Sequence, residues 1–305
     1  MHVSTTSEVV VALEEVTKSF GKHVAVDSLS LSIPRGSVYG FIGPNGAGKT
    51  STIRMIMHIH VPDRGRVLVF GQPAGRESTR RIGYLPEERG LYPKMKVLEV
   101  IRYFGLLKGA PPADLARRAE QWLERLGLTA WKSKKCQDLS KGMQQKVQFI
   151  TTIVHEPELV ILDEPFSGLD PVNAETLTGI IEELRAAGRT VIFSTHVMEH
   201  AEKLCDAVFM ICRGKKVLDG TVDSIRASQR EAVVEIDAAG DAAPLRAVPG
   251  VRAVKQSASA IVVELEPGAD PQLLLEAALR QLKITRFEVR SPRLHDIFVR
   301  IAGGE

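Results

Sequence analysis

The chain has 305 residues, 44% hydrophobic and 25% charged, the balance of a folded globular protein with room for one sizeable and one small domain. Forty Lys and Arg stand against 37 Asp and Glu, a net charge of +3, too even to call for nucleic acid or an anionic membrane as partner. No apolar run reaches the roughly 18–20 residues that cross a bilayer and the first seven residues lack the parts of a signal peptide. Three scattered cysteines, Cys136, Cys205 and Cys212, suit reduced thiols, so the expected location is the cytoplasm.

Residues 9–16 alternate loosely between apolar and glutamate positions and read as a strand, followed by a turn over 17–21 that carries Phe20. That ring is either core or placed to stack on a purine base. A second strand is expected at 28–33. The apolar Val38, Tyr39, Phe41 and Ile42 then lead into Gly43, Pro44, Asn45, Gly46, Ala47, Gly48, Lys49 and Thr50, which fit G-x-x-x-x-G-K-[ST] at every position, and Ser51 to Met57 continue as a helix. Strand, loop and helix form the setting that a phosphate-cradling loop needs. Its glycines let backbone N–H groups turn onto phosphate oxygens at a helix N-terminus. Lys49 is expected on the β- and γ-phosphates and the Thr50 hydroxyl on Mg²⁺. The chain thus reads as a nucleoside triphosphate binder. His58 and His60, two apart on the expected helix, diverge and are surface or packing residues rather than metal ligands.

Beyond a turn at 62–65, strands are expected at 66–70 and 82–86, the second leaving through Glu87, Glu88, Arg89 and Gly90. Residues 97–128 are helical in pattern with a break at 109–112. Inserted between two parts of the nucleotide core, this region forms a helical lobe over about 88–157. Ser140 is well placed to cap the helix that starts there. Leu159, Val160, Ile161 and Leu162 read as a parallel strand buried on both faces, ending in Asp163 and Glu164. Consecutive strand residues point in opposite directions, so Asp163 can face Mg²⁺ held by Thr50 while Glu164 faces a water behind the γ-phosphate. The alternative is that both acids cap the helix over 175–187. A buried strand at 190–194 brings His196 to the strand end where ligands gather in open α/β sheets. Short strands at 207–212 and 216–218 follow, then a boundary near 220–230. From there to residue 305 the pattern is β-α-β-β-α-β, a ferredoxin-like α+β domain, with a closing helix at 294–301. It holds no constellation of His, Cys and acids and reads as regulatory, docking or dimer-stabilising.

On these residues, the first 220 or so positions resemble the nucleotide-binding subunit of an ABC transporter. The phosphate loop, LSKGMQQK at 139–146, LVILDEP at 159–165, the D-loop-like Ser167, Gly168, Leu169 and Asp170, and His196 agree with its motifs in order. The resemblance implies an α/β P-loop NTPase cassette (1–220) with the accessory α+β domain at 221–305, ATP and Mg²⁺ as ligands, and two cassettes facing head to tail. Ser140 and Gly142 would bind the partner cassette's γ-phosphate, Glu164 would polarise the attacking water, His196 would contact the γ-phosphate, and Asp170 would couple the two sites. Phe20 matches the adenine-stacking aromatic.

The signature usually reads LSGGQ, and Lys141 and Met143 depart from it. Glu87 stands where most members carry a metal-sensing Gln. YLPEERGLYPKM at 84–95 and LHDIFVRIAG at 294–303 look like the bacterial exporter branch that includes sodium-efflux and antibiotic-resistance subunits. The expected function is an ATPase energising a separate membrane permease, an exporter, whose cytoplasmic helices meet the helical lobe and the loop at Glu87. A soluble ABC-type ATPase acting on ribosomes or DNA is the alternative. Such proteins usually carry two cassettes, long coiled coils or zinc insertions.

Overall fold

The computed structural model describes residues 8–88, 90–228, 233–257, 260–266, 268–290 and 293–302. Arg89 and residues 1–7 lie outside them. The chain opens with β1 (Val9–Phe20) and β2 (His23–Pro34), long antiparallel strands rich in Val and Leu. The expected turn over 17–21 is the end of β1 instead: Lys18, Ser19 and Phe20 pair with Val26, Val24 and His23, and the reversal falls on Gly21 at φ 61°. Register shifts between Leu13 and Ser19 break the period-two alternation there, as β-bulges do.

The next elements are β3 (Val38–Ile42), α1 (Lys49–Ile56), β4 (Arg64–Val69), β5 (Gln72–Pro73), α2 (Arg76–Arg80) and β6 (Ile82–Leu85). Helix α1 stops at Ile56, and His58 turns the chain with φ 55°. His58 and His60 therefore lie beyond the helix on which they were expected. The helical lobe follows with α3 (Val97–Leu107), α4 (Pro112–Arg125) and α5 (Lys141–Ile153). Then come β7 (Leu159–Asp163), α6 (Pro171–Ala186), β8 (Thr190–Thr195), α7 (Met198–Leu204), β9 (Ala207–Cys212) and β10 (Lys215–Thr221).

Two sheets result. One has the order β2-β1-β4-β5, and the other β10-β9-β3-β8-β7-β6. In the second, β3 runs parallel to β8 and β9, and β7 runs parallel to β6 and β8. The strands β3, β7 and β8 are buried along their whole length, as both-face coverage requires. Their alternate residues serve two cores. Tyr39, Phe41, Ile161 and Ile192 pack with Ile53 and Met55 of α1 and with the inner face of β1 and β2. Val38, Val160, Leu162 and Phe193 pack with Ile101, Leu115 and Ile150 of the helical lobe. Each such buried side chain contributes about 1.5–3 kcal/mol. By the same alternation Asp163 and Ser194 project to the α1 side.

Contacts divide the chain between Asp219 and Gly220. The second unit starts with α8 (Val222–Ser228), and its sheet is built from β11 (Val233–Ala239), β12 (Val251–Gln256), β13 (Ile261–Leu265) and β14 (Lys283–Arg290). The order is β12-β13-β11-β14 with every neighbour antiparallel. The first crossover is a five-residue 3₁₀ segment, Ala243–Ala247, and the second is α9 (Pro271–Leu279), N-capped by Asp270. Leu245, Leu274 and Ala278 close over Val234, Ile236 and Val263. Helix α10 (Leu294–Ala302) follows.

Candidate functional site

The end of β3 opens into the loop 43–48, whose course only glycine allows at two points. Gly43 has φ 155° and Gly48 φ 113°; a Cβ would sit 2.2 Å from the Ile211 carbonyl oxygen at the first and 2.5 Å from that of Ala25 at the second. No side chain caps the N-terminus of α1, so its first N–H groups remain available to an anion. Lys49 is 7% exposed. Its Nζ donates to the carbonyls of Gly43 at 2.8 Å and Pro44 at 3.2 Å and stands 3.5 Å from Glu164 Oε1.

A cleft of about 470 Å³ lies over this loop. Pro44, Asn45, Gly46, Ala47, Gly48, Lys49, Thr50 and Ser51 line it, with Phe20, Glu87 and Glu164 from elsewhere in the chain. Phe20 is 45% exposed and so is not core. Its ring meets that of His60 edge-on at 5.2 Å, with Lys18 Nζ 5.6 Å from its centroid.

Asp163 ends β7 almost fully buried, with Oδ1 3.4 Å from the Thr50 hydroxyl and 2.5 Å from that of Ser194. Burial holds its carboxyl above the usual carboxylate range, against the opposing hydrogen bonds from Ser194 and Thr50. Its Oδ2 is buried with no hydrogen-bond partner. A hydroxyl beside an orphaned carboxylate oxygen is a hard-oxygen donor set and fits Mg²⁺.

Glu164 has φ 49°, a left-handed conformation that non-glycine residues adopt at a free-energy cost. Its carboxylate lies between Lys49 and His196, whose Nδ1 is 3.0 Å from Oε2. Glu87 lines this cleft and an adjoining pocket of about 260 Å³ shared with Thr50, Arg54, Tyr84 and Asp163. There, burial and the nearby Asp163 push the Tyr84 hydroxyl up to about 12.

Ser140, Gly142 and Asp170 do not line the cleft. Ser140 caps α5, accepting from the Met143 N–H at 3.3 Å, and Asp170 caps α6, accepting from the Asn173 N–H at 2.9 Å. The Asn173 amide also donates to Asp170, and it is the nearest atom, at 3.7 Å, that a Cβ on Gly142 would meet. Sequence reasoning missed His23 and Ala25, which line the cleft, and Ser194. The last is brought to Asp163 by strand register, which no local motif announces.

A phosphate loop between a central parallel strand and an uncapped helix, with one acid ending the second strand along and another just beyond it, defines a P-loop nucleoside triphosphatase. The ABC transporter family model matches residues 26–167, and a model described as "ATP-binding protein DrrA1-3-like, C-terminal domain" matches residues 220–302. The uncharacterized ABC transporter ATP-binding protein YhaQ of Bacillus subtilis is 40% identical over 95% of this chain and 98% of its own length. The linearmycin resistance ATP-binding protein LnrL of the same organism is 31% identical over 95% of this chain and 97% of its own. Nod factor export ATP-binding protein I of Cupriavidus metallidurans is 32% identical over 97% and 98%. A solved ATP-binding subunit of an ABC transporter superposes with a TM-score of 0.68 at 31% identity, covering 72% of this chain and 92% of that one.

The chain belongs to the ABC transporter ATP-binding protein family. It is an ATP-hydrolysing cassette of a transporter. Among the described residues no helix is long and apolar enough to cross a membrane.

Proposed function

We propose that this chain is the ATPase subunit of an exporter, acting on a separate permease at the cytoplasmic face of the membrane as one of a pair of cassettes. In this reading the loop N–H groups and Lys49 bind the β- and γ-phosphates and Phe20 stacks on adenine. Thr50 and Asp163 hold Mg²⁺, which neutralises charge on the phosphate oxygens when bound. Glu164 orients the attacking water and takes its proton at the carboxylate, and His196, already on Oε2, fixes that carboxylate and reaches the γ-phosphate. Glu87 brings a carboxylate beside the metal, which favours the cation and opposes the γ-phosphate.

The observation that carries the reading is that Glu164, which lines the cleft with Lys49, is held between Lys49 at 3.5 Å and His196 at 3.0 Å. Two further features support the pairing of cassettes. Ser140 and Gly142 stand outside that cleft on the start of α5, and nothing within 3.7 Å fills the space beside Gly142. The exporter assignment is supported by the names of the LnrL and Nod factor relatives. The residue 220–302 match supports an accessory role for the second unit.

Mixing tests the shared site. Lys49→Ala and Ser140→Arg chains should each be inactive alone, whereas a mixed dimer keeps one site built from an intact loop and an intact signature. Turnover that returns on mixing, with the permease present, supports the reading. Its failure to return while both variants still bind each other refutes it.

A further inference from the structure

In the parallel register of β7 and β8, Asp163 stands opposite Ser194, and Ser194 is completely buried. Its Oγ lies 2.5 Å from Asp163 Oδ1 and 3.0 Å from the backbone nitrogen of Glu164. A backbone N–H can only donate, so the hydroxyl accepts there and its single proton goes to Asp163.

Two consequences follow from that one oxygen. Asp163 Oδ1 is occupied by Ser194 and approached by Thr50, which leaves the partnerless Oδ2 as the oxygen free to meet a cation. The Glu164 N–H is tied down at the residue whose φ of 49° aims its carboxylate at Lys49 and His196. A conformation of that kind persists where the surroundings hold it.

We propose that Ser194 is a positioning residue for both carboxylates, so that Mg²⁺ affinity and turnover depend on a hydroxyl that touches neither the metal nor ATP. The inference rests on the reading that Asp163 holds Mg²⁺.

The test uses the full chain with Ser194→Ala, Ser194→Cys, Ser194→Thr and Asp163→Asn. ATP affinity is measured in EDTA and in saturating Mg²⁺, Mn²⁺ binding to the ATP complex by electron paramagnetic resonance, and turnover by phosphate release. Ser194→Ala is expected to bind ATP in EDTA like the wild type. Its tightening by Mg²⁺ and its Mn²⁺ affinity are expected to fall about tenfold or more, the usual scale for a hydrogen bond to a charged group, with turnover falling too. Ser194→Thr, which keeps the hydroxyl, should restore the tightening. Ser194→Cys, a weak donor, should lose it and decides the matter if the alanine variant does not fold.

Wild-type tightening in Ser194→Ala or Ser194→Cys overturns the proposal. So does a loss of ATP affinity in EDTA as large as the loss in Mg²⁺, which marks mere destabilisation. Asp163→Asn separates the two layers: if it keeps the full tightening, the metal assignment of Asp163 is what fails.

Discussion

Replacing Glu164 with Gln removes one charge while keeping shape, and the surroundings decide what that does. Glu164 Oε1 is 3.5 Å from Lys49 Nζ, a gross attraction of about 5 kcal/mol at an effective dielectric of about 20. Removing a buried carboxylate also removes its desolvation penalty, which offsets most of that attraction. Lys49 is not left alone either, because the Gly43 and Pro44 carbonyls still accept from it. Because Lys49 stays buried without its counter-charge, folding stability is expected to fall, by less than the roughly 3–5 kcal/mol typical of a broken buried pair because those carbonyls remain.

Turnover behaves differently. An amide cannot take a proton from water, so phosphate release should drop about 10²- to 10⁴-fold, or about 3–5 kcal/mol in the barrier. ATP binding should persist, because the loop and Lys49 are untouched. Steady-state phosphate release, paired with equilibrium ATP binding and a thermal melt, reads all three quantities. A Glu164→Gln protein that turns over within an order of magnitude of the wild type removes Glu164 from the chemistry.

Gly48→Ala should destabilise the fold by about 2 kcal/mol or more and weaken ATP binding, since φ is 113° and the new Cβ would lie 2.5 Å from the Ala25 carbonyl oxygen; urea unfolding that matches the wild type contradicts this. His155 has its pKa lowered from 6.5 to about 4 by burial, with the Lys108 and Arg118 cations adding to the effect. The unfolded chain takes up this proton near 6.5 and the folded chain only near 4, so the contribution is complete above pH 6.5 and is lost as pH falls toward 4. The loss is up to about 3 kcal/mol, and His155→Gln should flatten that limb of the stability–pH curve.

The phosphate loop is legible because its residues are contiguous and each glycine answers a local backbone demand. The strand carrying Asp163 and Glu164 is legible because an unbroken apolar run must be buried, and two acids at its end must then meet a cation or a proton donor at the sheet's edge. Ser140 is legible because a cap acts on its own helix. Longer-range pairings leave no such local mark. Ser194 meets Asp163 only through the register of two strands, 31 residues apart in sequence. The polar stretch Thr17, Lys18 and Ser19 looks like a turn until its ladder partners on β4 and β2 are known. Likewise, nothing local says that α1 gives way before His58, or that the first crossover of the second unit is a 3₁₀ segment. For Phe20, core and stacking positions look alike in sequence, and only its exposure separates them.

Gly142 sits inside α5, where alanine would favour the helix by up to about 1 kcal/mol, and the nearest atom to an added methyl lies 3.7 Å away. The described residues of the lone chain give no reason for a bare backbone there. A methyl at this point would pass solubility, circular dichroism and melting checks on purified subunits. Its penalty, if a second cassette presses its nucleotide against this turn, would surface only in the loaded complex, so screens that score single-chain stability are blind to the position.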